Sequence, residues 1–507
     1  FYISSTSNRR SKLLLSLSLH MMMVTTVPLS DVTEVDVIVI GAGISGLAAA
    51  SALIDGGIAD VVVLEAQEYA GGRIKSLRHK DHVIELGAQW IHGTQQNALY
   101  DFALEAGLVD SRVTREAEGI FVNEDGERID PDLVEEVREI VLQSEDECMA
   151  TGGFSSVGEF MHDYFNSRSK RRDQSPLDAE AMFRWMMKFE AIDNACECMS
   201  HLSTSHWGDY EECGGEAYVT VKNGYSNLVK ELAAKIPEDK IIFGKPVSTI
   251  FWEKSTLRSN TGSPISCRGN IIVKTEDNQY LACRNVIVTC SLGFLKAFQH
   301  EFFHPYLPEP QKKAIESVGF GVIDKIFLEF PDRFWDEDCL GIQLVWKNED
   351  ESVLTSQEKV DGMSDRWYKA VTGFDIVMDQ PHMLMGWIYG DEARYMETLD
   401  DGTVGDVLTR ILRRFLRKPS IPPPSVVIRT SWQSNKFIRG SYSFRGVQTA
   451  LDVVPHLTQA VCAAQSEEPL ILFAGEACSL KRHSTVHGAF ESGRHQAIKL
   501  LQYYSVN

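Results

Sequence analysis

The chain has 507 residues, 44% of them hydrophobic, and a formal net charge of -21 at pH 7. Its length exceeds what one hydrophobic core usually serves, so we expect more than one domain, and its composition excludes a disordered or fibrous protein. The acidic excess argues against a nucleic-acid partner and favours cationic ligands, although acidity also serves solubility.

The N-terminal region, residues 1–32, is predicted to be an unstructured tail or an extension before a start near Met21. Leu13 to Leu19 is a weak candidate for a signal-peptide core. Because this candidate is weak, we expect a cytoplasmic protein, with secretion as the alternative. No run of about 18 apolar residues predicts a membrane span. The cysteine spacing does not suggest a zinc site, and we expect no metal.

A β-α-β unit is predicted directly after this tail. Residues 35–40 form an apolar run that is typical of a buried parallel strand, and residues 60–65 form a second one. Between them, residues 44–54 have the composition of a helix that ends at Gly56-Gly57.

The turn between the first strand and the helix carries a nucleotide-binding pattern. Gly41, Gly43 and Gly46 form G-x-G-x-x-G, with Ser45 inside it. Small residues at this turn let a diphosphate approach the N–H groups at the helix N-terminus. Glu65 ends the second strand, where a carboxylate can accept hydrogen bonds from a ribose. The pattern alone does not separate FAD from NAD.

The remaining elements follow in chain order. Asp130 and Pro131 predict a helix start, and the helix is expected to reach Glu147. The other expected segments are a largely helical stretch at 155–185, strands at 247–252 and 270–274 joined through 257–269, a strand at 286–290, a surface insertion at 347–364, a break at 422–424, a strand at 471–474 and a helix from Gly488 onward.

Three short segments offer further cofactor contacts. Gly71-Gly72-Arg73 supplies flexible amides and a guanidinium beside the predicted diphosphate site. Gly475-Glu476 ends an apolar strand, and Ser484 to Gly488 opens a helix whose N–H groups suit the electron-rich end of a flavin.

Taken together, these motifs resemble those of the flavin-containing amine oxidases. The resemblance runs from about Val35 to the C-terminus. The animal spermine oxidase and acetylpolyamine oxidase branch is favoured by three more segments, which are Gly87 to Gly93 (GAQWIHG), Lys325 to Phe330 with Phe334-Trp335, and Arg439 to Ser443 (RGSYS).

The resemblance implies an α/β fold with a Rossmann-like FAD-binding domain interleaved with an α+β substrate domain that carries a mixed sheet. Residues 33–118, 225–300 and 426–507 are expected to form the FAD-binding domain, and residues 119–224 and 301–425 the substrate domain. The active site is expected between them.

The resemblance also implies that FAD is the cofactor. The residues expected to contact it are Gly41, Gly43, Ser45, Gly46, Glu65, Arg73, Gly87, Ala88, Gln89, Trp90, Val247, Trp432, Gly475, Glu476, Thr485 and Val486. Monoamine oxidases attach FAD to a cysteine that directly precedes a tyrosine, and this tyrosine forms one wall of an aromatic cage at the active site. Ser441 stands at that position here, so we expect FAD to bind without a covalent bond.

Three residues are implied to be catalytic. Lys325 matches a lysine that holds a water molecule against flavin N5, His92 matches a histidine near the amine, and Tyr442 matches one wall of an aromatic cage. Thr485 occupies the other wall, and Trp90 is also expected to contact substrate.

One further residue, Asp209, matches a glutamate that anchors a distal ammonium group. Because aspartate is one methylene shorter, Glu211 or Glu212 is an alternative anchor. His483 is another departure, since relatives have tyrosine there.

The implied reaction is FAD-dependent oxidation of a polyamine such as spermine or N1-acetylspermine. Hydride passes to the flavin, the iminium product hydrolyses to an aldehyde and a shorter amine, and oxygen is reduced to hydrogen peroxide. We expect a monomer or weak dimer. The alternatives are a monoamine or L-amino-acid oxidase, and a non-catalytic flavin-binding protein.

Overall fold

The computed structural model describes residues 25–27, 32–110, 112, 116–151, 153–169, 176–252, 257–259, 269–349, 363, 366–463 and 466–506. Most of the tail predicted for residues 1–32 therefore lies outside the described residues, as do most of the insertion predicted at 347–364 and most of the connection at 257–269. Within the tail, Thr25–Val27 forms a short strand parallel to Leu257–Ser259.

The described residues form helices and strands with the following bounds. The helices are α1 (Ile44–Asp55), α2 (Ala98–Glu105), α3 (Pro131–Ala150), α4 (Val157–Arg168), α5 (Pro176–Asp193), α6 (Ser226–Ala233), α7 (Leu292–Phe302), α8 (Glu309–Ser317), α9 (Gly390–Glu397), α10 (Asp401–Phe415), α11 (Val453–Thr458) and α12 (Val486–Val506). The strands are β1 (Thr25–Val27), β2 (Val32–Glu34), β3 (Val37–Ile40), β4 (Val61–Leu64), β5 (Ser76–His79), β6 (His82–Glu85), β7 (Ile120–Asn123), β8 (Ile241–Ile242), β9 (Val247–Phe251), β10 (Leu257–Ser259), β11 (Ile271–Thr275), β12 (Tyr280–Cys283), β13 (Asn285–Val288), β14 (Phe303–His304), β15 (Gly319–Phe320), β16 (Ile323–Glu329), β17 (Gly341–Val345), β18 (Gly373–Ile376), β19 (Met383–Tyr389), β20 (Val426–Arg429), β21 (Ser443–Phe444), β22 (Val461–Cys462) and β23 (Pro469–Phe473).

The predicted β-α-β unit is confirmed, because β3 and β4 are parallel and α1 connects them. All four residues of β3 are buried. Val37 and Val39 pack into the core formed with α1, while Ile38 and Ile40 pack into a second core on the other face. A strand buried on both faces has no polar alternation, which explains its continuous apolar run.

The first large sheet has the strand order β22-β23-β13-β3-β4-β8, and all its pairs are parallel except β22 with β23. Helices α1 and α12 pack against each other on one of its faces. A smaller sheet, β14-β9-β11-β12-β2, lies on the other side of the shared core. The carboxyl ends of β3, β13 and β23 meet at one edge, where ligands of parallel α/β sheets bind.

The second large sheet is mixed, with the order β20-β16-β19-β18-β17-β7. Its strands are antiparallel to their neighbours except β7, which runs parallel to β17. Together with the parallel sheet, this confirms the predicted fold class.

A helical lobe packs against this mixed sheet. Asp130 caps α3 by accepting a hydrogen bond from the Asp132 N–H, as the sequence predicted for a helix with proline in its first turn. Helices α3, α4 and α5 bury their apolar faces in one core with the sheet.

Two segments pack with the other domain than the one to which the sequence analysis assigned them. Strand β20, which we had assigned to the FAD-binding part, pairs with β16 in the mixed sheet. Residues 301–318, which we had assigned to the substrate part, pack into the core of the parallel sheet through β14 and α8. No helix in the described ranges is long and apolar enough to cross a membrane.

Candidate functional site

The glycine turn after β3 is shaped by close backbone contacts. Gly41 has a φ of 104°, and its N–H donates to the Leu64 carbonyl across the sheet at 2.8 Å. A Cβ on Gly46 would lie 2.0 Å from the Gly41 carbonyl oxygen, so no larger residue fits there without a shift. The turn therefore brings the start of α1 directly onto the end of β3.

This turn fits a diphosphate-containing cofactor. A Cβ placed on Gly43 or on Gly475 would meet nothing within 4 Å, so both backbones border open space. The Ser45 hydroxyl is buried in the first turn of α1 and has no hydrogen-bond partner among the described residues. Free N–H groups at a helix N-terminus and an unpartnered hydroxyl together suit phosphate oxygens.

Glu65 lies beside the same turn. Its carboxylate accepts hydrogen bonds from the Ala42 N–H at 2.6 Å and from the Gln67 N–H at 2.9 Å. Burial raises the pKa of Glu65, and these hydrogen bonds oppose the rise. Its place at the end of β4 agrees with the predicted position, and its contact with a ribose stays a prediction.

A buried carboxylate, Glu476, joins three cofactor segments. It accepts from Arg73 at 2.9 Å, from the Ser443 hydroxyl at 2.6 Å and from the Ser484 N–H at 3.0 Å. Burial opposes ionisation, yet the charge of Arg73 and these hydrogen bonds bring the pKa of Glu476 below its ordinary value. Arg73 also donates to the Ser441 carbonyl at 2.7 Å. The Arg73–Glu476 ion pair therefore links Gly71-Gly72-Arg73 to the segment that carries Tyr442.

Lys325 lies in the middle of β16 and is 2% exposed. Its ammonium donates to the carbonyls of Glu85 and Gly87 and to Gln89 Oε1, each at 2.9 Å. It also lies 4.5 Å from the centre of the Trp387 ring. All three N–H bonds are therefore used by the protein, so a water molecule held by Lys325 would replace one of these acceptors.

Tyr442 lies between the mixed sheet and the helical lobe. Its hydroxyl donates to the Ile192 carbonyl in the last turn of α5 at 2.7 Å, which fixes the ring. Thr485, the other expected wall of the cage, uses its hydroxyl for local structure: it donates to the Arg482 carbonyl at 2.8 Å and accepts from the Gly488 N–H at 3.0 Å. It therefore stabilises the start of α12.

An aromatic group borders the same region. Trp90, His92 and Tyr218 pack edge to face, with ring centres 5.3 to 6.4 Å apart. Burial lowers the pKa of His92, while the charge of Glu212 opposes this. A mainly neutral imidazole can accept or donate a hydrogen bond to an amine.

Four carboxyl groups act electrostatically on Tyr218, and a fifth, Glu145, interacts with Glu190. We call these five groups the acidic wall: Glu116, Glu145, Glu190, Asp193 and Glu212. Asp193 is the last residue of α5 and keeps solvent-exposed surface. The charge of Asp193 acts on Tyr442, Tyr218 and Glu116. Burial and the neighbouring acids raise the pKa of Glu116 to about 8 and that of Glu145 to about 7.

The three candidates for the substrate anchor, Asp209, Glu211 and Glu212, differ in the groups around them. Asp209 Oδ2 lies 2.6 Å from His206 Nδ1, and Glu211 pairs with Lys481 at 2.6 Å. Glu212 is different, because its charge acts on His92 and on Asp193. The structure therefore brings Glu212 to the aromatic group, whereas Asp209 and Glu211 have basic partners elsewhere.

Other residues predicted to contact the cofactor lie on several different elements. Trp432 is buried, and its backbone N–H donates to Asp324 Oδ1 at 3.2 Å. Val247 begins β9, and Val486 begins α12. A Cβ on Gly87 would lie 1.9 Å from the Arg73 carbonyl oxygen, which explains a glycine there. The Ala88 N–H donates to that same carbonyl at 3.1 Å.

Sequence reasoning missed Tyr218 and most of the acidic wall. One signal was available, because Glu190 and Asp193 stand in the last turn of α5, and that turn carries no basic residue. Negative charge at a helix C-terminus is unfavourable and therefore suggests a functional reason. Within the described residues no cluster of three or more His, Cys, Asp or Glu side chains is arranged to hold a metal ion.

Comparison with known sequences gives a consistent result. The model of the family described as flavin containing amine oxidoreductase matches residues 44–501. A human protein named peroxisomal N(1)-acetyl-spermine/spermidine oxidase is 33% identical over 502 residues, covering 92% of this chain and 95% of the relative. Polyamine oxidase 1 of Oryza sativa subsp. japonica is 28% identical over 529 residues, covering 92% and 97%.

Comparison with solved structures agrees on the fold. A putrescine oxidase, solved as wild type bound to putrescine, aligns with a TM-score of 0.66 and 20% sequence identity. The alignment covers 93% of this chain and all of the putrescine oxidase chain.

Proposed function

The chain belongs to the flavin-containing amine oxidoreductase family, and from this premise we propose that it is an FAD-dependent polyamine oxidase. The observation that carries the choice of substrate is the acidic wall beside Tyr442 and His92. A polyamine carries several ammonium groups, and such a cation is attracted to a cluster of carboxyl groups and favours their ionised state. The names of the human and rice relatives support the same substrate class.

The glycine turn and the Arg73–Glu476 pair are the groups that we propose hold FAD. When bound, FAD supplies the acceptor for the hydride that leaves the carbon next to the amine nitrogen. Ser441 accepts from the Ile323 N–H at 2.8 Å and donates to the Ile323 carbonyl at 2.7 Å. It therefore has a structural role, in line with FAD held without a covalent bond.

The remaining side chains are proposed to orient the amine. Tyr442, held by the last turn of α5, presents a fixed aromatic wall, and His92 offers a hydrogen bond. Glu212 and Asp193 balance the charge of a second ammonium group. The same carboxylates would repel a substrate carboxylate, which disfavours an L-amino-acid oxidase.

Peroxide release from the purified yellow protein tests this function. Spermine, N1-acetylspermine, spermidine and benzylamine are offered in parallel. We expect peroxide with polyamines and none with benzylamine. Activity on benzylamine alone would indicate a monoamine oxidase, and no activity together with no flavin bleaching under anaerobic spermine would indicate a non-catalytic flavoprotein.

The same assay identifies the anchor carboxylate. We expect Glu212→Gln to raise the KM for spermine by roughly tenfold and the KM for N1-acetylspermine by less, because a charge-assisted contact is lost. Asp209→Asn serves as the matched variant and is expected to have the smaller effect. The reverse order would restore Asp209 as the anchor.

We also propose that the protein works in a reducing compartment, with the cytoplasm as the first candidate. The described cysteines are all free thiols, which is typical of such compartments. Fractionation of cells that express the chain distinguishes the cytoplasm from the peroxisome named for the human relative. For assembly we propose a monomer or weak dimer, since the exposed large apolar side chains are spread over many elements.

A further inference from the structure

A second buried acid stands next to Lys325 on β16. Asp324 is 0% exposed, and its Oδ1 accepts from the Thr430 hydroxyl at 2.6 Å and from the Trp432 N–H at 3.2 Å. The Thr430 hydroxyl in turn accepts a hydrogen bond from the backbone N–H of Lys325 at 2.8 Å. One carboxyl oxygen therefore connects the strand of Lys325 with the segment that carries Trp432.

The other oxygen, Asp324 Oδ2, is buried without a donor. No described group donates to it. The Asp324 carboxyl group interacts with that of Glu397, the last residue of α9. Glu397 itself accepts from the N–H groups of Gln433 and Ser434, each at 2.8 Å. A buried carboxylate oxygen without a donor is costly, whereas a protonated carboxyl group can donate to a neighbouring carboxylate.

We propose that Asp324 is a positioning residue of the flavin site: as a neutral carboxylic acid it donates to Glu397 and accepts from Thr430 and Trp432. In this state it holds residues 430–434 against β16 and so fixes Trp432 relative to Lys325. This inference rests on the proposed function only in taking Trp432 and Lys325 as neighbours of the flavin.

The charged surroundings support the neutral state. Burial raises the pKa of Asp324 well above its ordinary value, and the charge of Glu397 raises it further. Lys325 is adjacent on the strand, so its side chain points to the opposite face of the sheet. Arg429 on β20 is bound to Asp401 at 2.6 Å and to the Met396 carbonyl at 2.6 Å.

The other charged residues of α9 also have partners away from Asp324. Arg394 pairs with Glu197 and with Asp391, and Glu392 lies 3.6 Å from Arg366. Glu397 is therefore the charged residue of α9 that acts on Asp324. When Asp324 loses its proton, two carboxylates face each other across the end of the 430–434 segment. Their repulsion would loosen that segment.

The test measures how much flavin stays bound to the holoenzyme between neutral and alkaline pH, from the fluorescence of released FAD. Asp324→Asn keeps a donor towards Glu397 and an acceptor towards Trp432 but cannot ionise. We expect the wild type to release more flavin as the pH rises, and Asp324→Asn to release less than wild type at alkaline pH. Asp324→Ala should weaken flavin retention roughly tenfold at every pH, because three hydrogen bonds are lost.

Asp332→Asn is the control, because Asp332 is an exposed aspartate just after the same strand. It should follow the wild-type curve. If Asp324→Asn released flavin with the wild-type pH dependence, the proposal would be overturned, and it would also fail if Asp324→Ala retained flavin as the wild type does. Should Asp324→Ala not fold, the asparagine variant alone decides. The readout needs no substrate, so it is independent of the polyamine assay.

Discussion

At the scale of single residues, Lys325 gives the most direct prediction. Burial lowers the pKa of Lys325 to about 8, although Glu85 and Glu116 oppose this. It is thus an ammonium below about pH 8 and loses its charge above it. We expect Lys325 to lie beside the flavin, where a positive charge favours electron transfer to oxygen. We expect the oxygen consumption of substrate-reduced enzyme to slow as the pH rises through about 8.

Lys325→Met should lower this rate by roughly a hundredfold and remove its dependence on pH, because the charge is gone at every pH. Stopped-flow mixing of the reduced protein with oxygen measures the rate without the substrate-binding step. Lys313→Met is the control, since the Lys313 side chain is 70% exposed. An unchanged inflection near pH 8 in Lys325→Met would assign the titration to another group.

The sequence indicated single residues well where a motif carries its own geometry. Gly46 and Gly87 are glycines because a backbone carbonyl oxygen occupies the place of a Cβ, and Gly41 is a glycine because its φ is 104°. Asp193 and Tyr218 had no motif. Their importance depends on which groups the packing brings near them, and local sequence does not specify that.

At the scale of elements, α1 and α12 approach each other closely where a cofactor phosphate is expected. A Cβ on Gly493 in α12 would lie 2.0 Å from the Ser45 carbonyl oxygen in the first turn of α1. Gly493→Ala should push the helices apart and displace the Ser45 hydroxyl. We expect a loss of about 1–3 kcal/mol of unfolding free energy from overpacking, together with a lower flavin content.

Thermal unfolding and the ratio of flavin to protein absorbance measure these two effects. Gln502→Ala is the control, because Gln502 lies on the same helix and is exposed. A Gly493→Ala protein with the flavin content and melting temperature of the wild type would show that α12 can shift without cost.

Helices and strands were predictable where neighbouring segments of the chain pack together, and less so where segments far apart in sequence pair with each other. The strand-helix-strand unit at residues 37–64 was predictable, since its strands are neighbours in sequence and in space. The position of β20 was not. We placed a domain boundary at the prolines before it, whereas the chain returns there to the edge of the mixed sheet beside β16. Pairing over such sequence distances is decided by tertiary packing.

At the scale of the whole molecule, charge and site chemistry agree. The chain carries an excess of 21 negative charges, and the carboxyl groups of Asp193 and Glu116 act on Tyr442. The overall charge would attract any cation from a distance, whereas we propose that the acidic wall selects cations with several ammonium groups. The two effects differ in their response to salt, because screening acts over about 10 Å at 0.1 M ionic strength.

This difference predicts how the enzyme responds to ionic strength. Raising the salt concentration should lower kcat/KM for spermine more steeply than for N1-acetylspermine, because the free polyamine carries more positive charge. Steady-state peroxide assays over a series of NaCl concentrations measure both slopes. Glu212→Gln should lower the spermine value at every salt concentration but leave most of its slope, since one charge in a large excess changes the distant field little. Equal slopes for the two substrates would mean that long-range attraction does not contribute to capture, and that the acidic wall alone distinguishes them.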